Sequence, residues 1–108
     1  MDHIEQQDHI YQDKKQFEVW ASYLRVLAHP TRLAILDALK DGTQCVNDVC
    51  ELLQRPQPNL SQHLAILRRE GIVRYREEGK KRCYYLADPS SIQTLLQTLR
   101  DGKIITSF

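Results

Sequence analysis

Two prolines break the middle of this chain and set its local architecture. Pro56 and Pro58 lie in the turn Gln54-Arg55-Pro56-Gln57-Pro58. Before the turn, residues 46–54 place Val46, Val49, Leu52 and Leu53 on an inward face. After it, residues 58–70 place Leu60, Leu64 and Leu67 at helical spacings of three and four, and Gly71 closes the segment. Pro58 suits a first helical position, where a missing N–H costs nothing. Two short helices on a tight turn predict a helix-turn-helix.

The second of these helices is polar where it begins. Gln57, Asn59, Ser61, Gln62 and His63 stand there, while the leucines point back to the core. A helix that enters the major groove by its N-terminus carries such side chains. Amides read adenine with two hydrogen bonds, and Ser or His serves a base or a phosphate. Next, residues 72–76 alternate in the manner of a strand, residues 77–80 turn, and residues 82–86 return. This hairpin carries Arg74, Arg76, Lys80, Lys81 and Arg82. It reads as a wing that holds phosphates.

The rest of the chain supplies helices. Phe17, Trp20, Ala21, Leu24 and Leu27 share one helical face. Pro30 opens a second helix with Leu33, Ile35, Leu36 and Leu39, which stops at Asp41-Gly42. Asp88-Pro89 opens a last helix with Ile92, Leu95, Leu96 and Leu99, ending near Gly102. The expected fold is mainly α with a small β-hairpin, a winged helix-turn-helix of order α-α-α-α-β-β-α. Residues 1–15 read as a polar arm, mobile or the frayed start of a helix, 16–102 as the domain and 103–108 as a tail. The arm includes His3 and His9, read as solvated.

Composition agrees with a single domain. The chain has 108 residues, 42% apolar and 27% charged, as in soluble globular proteins. A core this small gains from a partner subunit. No apolar run nears the roughly 18 residues of a membrane span. Met1–Glu5 is acidic and polar, unlike a secretory signal, so a cytoplasmic protein that avoids membranes is expected. Charge is divided unevenly. Residues 1–54 hold five basic and nine acidic side chains, and residues 55–108 hold ten and five. A basic half suits a polyanion.

Three cysteines, at 45, 50 and 83, cannot all pair within one chain. Reduced thiols are the expectation for such a protein, reactive, metal-binding or buried rather than structural disulfides. Cys45 stands at an N-cap position with Asp48 three residues on, the spacing of a capping box. Sulfur accepts weakly, so a thiol there gives up some helix stability. In return, the helix terminus favours its thiolate. Cys83 alternates with Tyr85 along a wing strand and reads as packing. Glycines stand alone, with no phosphate-cradling cluster, and no Cys/His pattern has catalytic or zinc-finger spacing. An enzyme is not expected.

Three stretches resemble the ArsR/SmtB family of winged-helix repressors: Leu27–Leu36, Gln57–Val73 and Gly79–Leu86. The resemblance spans roughly residues 17–100. It implies a homodimer through the first and last helices, binding to double-stranded operator DNA without a cofactor, and release by an inducer. Cys45-Val46-Asn47-Asp48-Val49-Cys50 is similar to the thiolate motif of arsenic-, lead- and cadmium-sensing members, with Asn47 where those members commonly carry another cysteine. It implies sensing at Cys45 and Cys50 of As(III) or another soft metal ion, since soft ions prefer thiolates. Another branch of the family senses thiol oxidation or reactive sulfur, which is the alternative here: its second cysteine has no match in the last helix, and Cys45–Cys50, or either with Cys83, substitutes only if their Cα atoms come within about 7 Å. The remaining alternative is a winged-helix module for protein contacts, with no operator.

Overall fold

The computed structural model describes the backbone of residues 2–102 and the side chains of residues 14–102. The element order is α1 (Asp2–Leu27), α2 (Pro30–Leu39), β1 (Gln44–Cys45), α3 (Val46–Leu53), α4 (Gln57–Arg69), β2 (Val73–Glu78), β3 (Lys81–Leu86) and α5 (Pro89–Asp101). The expected tail, residues 103–108, lies outside the described residues.

Helix starts follow the caps. His29 precedes α2 and its Nδ1 accepts from the Thr31 N–H at 3.1 Å. That bond stabilises the entry, while Pro30 needs no partner for a missing N–H. Asp88 caps α5, accepting from the Ser91 N–H at 3.3 Å and the Ser91 hydroxyl at 2.6 Å. Between α3 and α4 the chain turns at Gln54, which is left-handed with φ 52°. The Arg55 N–H then reaches back to the Cys50 carbonyl at 3.1 Å, a Schellman-type closure.

The core lies among α2, α3, α4, the sheet and α5. Leu36, Leu39, Val49, Leu60, Leu64, Leu67, Val73, Leu86 and Ile92 are all buried in it. Each such side chain contributes roughly 1.5–3 kcal/mol by leaving water. Two bonds fasten α5 to α2: Arg100 pairs with Asp37, and the Gln93 amide donates to the Lys40 carbonyl at 2.7 Å. No helix among the described residues is long and apolar enough to cross a membrane.

Four features differ from the sequence expectations. First, α1 begins at Asp2, so the stretch read as a mobile arm or a frayed helix start is continuous with the first helix. No Pro or Gly interrupts the chain before Pro30, and Gln, Glu and Lys lose little on entering a helix. Second, most of the apolar face of α1 meets no core. Phe17, Trp20 and Leu24 are at least half exposed, and Leu27 is the one buried residue among its described side chains. Third, Leu52 points outward at 61% exposure, because Val49 and Leu53 already occupy the inner face of the two-turn α3. Fourth, the sheet has three strands, in the order β1-β3-β2. The added strand, Gln44–Cys45, is too short to show a period and exists through its pairing with β3.

Candidate nucleic-acid interface

The two helices joined by the Gln54 turn are α3 and α4, and the hairpin β2–β3 stands beside them. The hairpin register is antiparallel, from Val73 opposite Leu86 to Glu78 opposite Lys81. Gly79 and Lys80 alone make the connection. A two-residue hairpin turn needs a left-handed first residue, and Gly79 supplies it with φ 64°.

One turn of α4 advances 3.6 residues, so its polar side chains divide between two flanks. Gln57, Ser61, Ala65 and Arg68 lie on the flank that faces the wing. With Asn47 and Lys80–Arg82 they line a groove of about 520 Å³. Gln62 stands near the exposed crest. Asn59 and His63 lie roughly 160° round the helix from Gln57 and Ser61. Gln57, Asn59, Ser61 and Gln62 are exposed, whereas His63 is half-buried.

His63 turns toward α2. Its ring lies 4.4 Å from the His29 ring, centroid to centroid. Its Nδ1 is buried without a hydrogen-bond partner. Burial holds the His63 pKa below the usual histidine value, and the positive charge of nearby Arg32 and Arg55 lowers it further. The position explains this: His63 directly precedes Leu64, on the border between the solvent face and the core.

The five expected phosphate contacts, Arg74, Arg76, Lys80, Lys81 and Arg82, are exposed. They are not equivalent. Tyr75 lies between the Arg82 guanidinium, 4.6 Å from its ring centroid, and that of Arg68, at 5.1 Å. Both distances fall within cation–π range, so Tyr75 ties α4 to the wing and holds two cations at the groove. Arg76 is held instead by Glu78, with Nε 2.9 Å from Oε1. Arg68 was not among the sequence candidates, although it shares a helical face with Gln57 and Ser61. Its spacing of eleven from Gln57 is the signal that marks it.

The cysteines part company. Cys45 is the N-cap residue of α3, as expected, but its side chain makes no capping bond. Instead Cys45 and Cys83 are joined by a disulfide, with Cα atoms 3.8 Å apart. The expectation of three reduced thiols, with Cys83 serving as packing, therefore does not describe this structure. The cause is register: β1 brings Cys45 directly opposite Cys83 on β3. Cys50 is free, half-buried, and packed against the core. Thus Cys45 and Cys50, the pair expected to act together, are not joined here. Among the described residues, Cys45, Cys83 and Glu78 bring ligand atoms within 4.8 Å of one another. Glu78 was also missed from sequence, since only the hairpin register places it.

Known proteins share this arrangement. The model of the bacterial regulatory protein arsR family matches residues 29–75. An uncharacterized HTH-type transcriptional regulator of Methanocaldococcus jannaschii is 40% identical over 75 residues, which cover 68% of this chain and 84% of that one. The arsenical resistance operon repressor of Escherichia coli is 44% identical over 57 residues. That match covers 52% of this chain and 49% of the repressor, so this chain spans about half of that relative. Among solved structures, the homodimeric winged helix-turn-helix DNA-binding domain from Mycobacterium bovis superimposes with a TM-score of 0.73 at 25% identity. It covers 86% of this chain and 88% of that one. The helix-turn-helix, the wing and these relatives agree: the chain belongs to the ArsR family of winged helix-turn-helix transcriptional regulators, which bind DNA and are not enzymes.

Proposed function

We propose that this protein is a homodimeric repressor that binds a two-fold operator in the cytoplasm and leaves it when an inducer attacks its thiols. The observation that carries the DNA reading is the groove between α4 and the wing. There Gln57 and Ser61 stand beside Arg68 and Lys80–Arg82. Hydrogen-bonding groups for base edges thus lie next to cations for phosphates, and the two tasks need such neighbours. The exposed Asn59 and Gln62 extend the reading surface, His63 supports it from the side of α2, and Arg74 and Arg76 extend the phosphate contacts.

Two-fold pairing is supported by the uncovered face of α1. Phe17, Val19, Trp20, Tyr23 and Leu24 are exposed together, and a groove of about 420 Å³ separates this face from Ile92 of α5. Exposed apolar area on the first helix, with the half-buried Leu95 and Leu99 on the last, suits an isologous contact. The homodimeric relative supports the same reading.

For the inducer, the relative named for arsenical resistance supports a soft metalloid such as As(III), or another soft metal ion, at Cys45 and Cys50. No other cofactor is needed to bind DNA. A second reading, release by thiol oxidation, is favoured by the bond between Cys45 and Cys83.

The test is fluorescence anisotropy on a duplex from the protein's own promoter. Log affinity should fall with log salt by about 0.9 per neutralised phosphate. A flat slope would make the chain a protein-contact module. Arsenite, cadmium, zinc and a mild oxidant are then titrated against wild type, Cys45→Ser, Cys50→Ser and Cys83→Ser. Release by arsenite or cadmium that needs Cys45 and Cys50 supports the metalloid reading. Release by oxidant that needs Cys45 and Cys83 supports the second.

A further inference from the structure

We propose that Cys45, Cys83 and Glu78 form a binding site for one soft or borderline divalent cation, open only when the two cysteines are reduced. The inference deepens the reading of a thiol-reactive inducer, on which its regulatory meaning rests, by naming a donor set at the wing rather than within α3.

Three elements converge to build this site. Cys45 ends β1 and immediately precedes α3, Cys83 is in the middle of β3, and Glu78 ends β2. The antiparallel register sets Cys45 opposite Cys83, with their Cα atoms 3.8 Å apart. Both sulfurs therefore stay within reach of one ion after reduction. The Cys83 Sγ also lies 3.5 Å from the Glu78 Oε2. In a tetrahedral zinc site with ordinary Zn–S and Zn–O bonds, sulfur and oxygen sit roughly 3.6 Å apart. The third donor thus needs little movement.

The surroundings suit thiolate ligands. Cys45 is the N-cap residue of α3, and its side chain makes no capping bond that metal binding would have to break. Cys83 is fully buried, Cys45 half-buried, and Glu78 reaches in from the solvent side. Cys45 borders the groove beside α4, which leaves a fourth coordination position for water. Two thiolates and a carboxylate are a donor set for zinc or cadmium rather than for magnesium or calcium. Cys50 is not part of the cluster.

The chemistry balances without further partners. A phosphine reductant takes oxygen from water and becomes the phosphine oxide. The disulfide accepts the two electrons, and the two protons of that water complete the thiols. The cation then forms two metal–sulfur bonds and releases two protons. The disulfide form has no thiolate to offer, so oxidation and metal binding exclude each other.

The experiment uses the full chain, reduced with a phosphine and freed of metal, titrated with cadmium alone. The readout is the ultraviolet sulfur-to-cadmium charge-transfer band, whose intensity counts thiolates. The expected result is one cadmium per subunit with two thiolates in wild type and in Cys50→Ser. Cys83→Ser should show one thiolate, and the disulfide form none. Because Cys83 is buried, Glu78→Gln gives a second arm on an exposed side chain. It should keep the two-thiolate band and weaken cadmium binding roughly 10–100-fold. A two-thiolate band that survives Cys83→Ser, a band lost in Cys50→Ser, or unchanged affinity in Glu78→Gln would overturn the site. Anisotropy on the promoter duplex with the same metal-free samples separates the two ideas. DNA binding without a cadmium band overturns the cation site alone. No DNA binding by reduced or oxidised protein overturns the repressor reading, whatever the band.

Discussion

The rings of His29 and His63 lie 4.4 Å apart and tilted by 49°, joining the entry of α2 to the middle of α4. His29 is committed as an acceptor, with its Nδ1 taking the Thr31 N–H. His63 has its pKa lowered by burial first, then by the neighbouring positive charges. The folded state therefore prefers His63 neutral.

That preference makes stability depend on pH in a definite direction. A histidine whose folded pKa lies below its ordinary value of 6.5 binds more protons when unfolded. Its contribution is present in full above that value and is lost as pH falls through the lower folded pKa. Urea midpoints should thus drop between neutral pH and about pH 5. His63→Phe, which keeps the ring and removes the titration, should flatten that drop. An equal drop in the variant would contradict the assignment.

The turn between α3 and α4 carries a measurable cost. Gln54 is exposed and holds φ 52°, a left-handed conformation that glycine adopts without penalty. Gln54→Gly should stabilise the protein by about 0.5–1 kcal/mol in chemical denaturation, after the extra entropy of the unfolded glycine is subtracted. A loss of stability would mean that the Gln54 side chain holds the turn.

The two sides of the groove should give different DNA phenotypes. Gln57→Ala should cost about 1–3 kcal/mol on the cognate operator and little on an operator altered at the base it reads. Lys81→Ala should weaken all sequences alike and lower the salt slope by about 0.9. Anisotropy on matched duplexes over a salt series checks both. Equal losses across sequences for Gln57→Ala would remove it from base readout.

Trp20 is half exposed at the centre of the uncovered α1 face, with its ring 5.5 Å from that of Phe17. Trp20→Glu should convert the dimer to monomer in sedimentation while circular dichroism stays the same. Operator affinity should fall with it, because each monomer retains one half-site. An unchanged sedimentation coefficient would place the pairing surface elsewhere.

The bond between Cys45 and Cys83 closes a loop of 38 residues. Loop-closure entropy for that length amounts to about 4 kcal/mol of unfolded-state constraint. Reduction should lower the unfolding free energy by up to about that much. Cys45→Ser should abolish the difference between reduced and oxidised samples.

The helix-turn-helix and the wing were legible because their signals are local. Pro58 at a helix start, leucines at 60, 64 and 67, and the lone Gly79 in a hairpin turn each act over a few residues. Strand alternation in residues 72–76 depends on one period and no distant partner. The same holds for the polar residues on α4, which are polar because they meet no core. Arg68 was legible in principle, since helical spacing alone puts it beside Gln57 and Ser61.

Other features depend on what lies across the fold. Whether a polar residue on α4 faces the wing or α2 depends on its neighbours, so His63 turns to His29 while Ser61 faces the groove. A two-residue strand has no period of its own, and β1 exists through its register with β3. That register, set by tertiary packing, puts Cys45 opposite Cys83 and brings Glu78 beside them. Local sequence determined the helices, the turns and the basic hairpin, because hydrogen bonding and periodicity act between near neighbours. Only the tertiary structure decided which thiols meet, because residues 45 and 83 approach each other only after the sheet has formed.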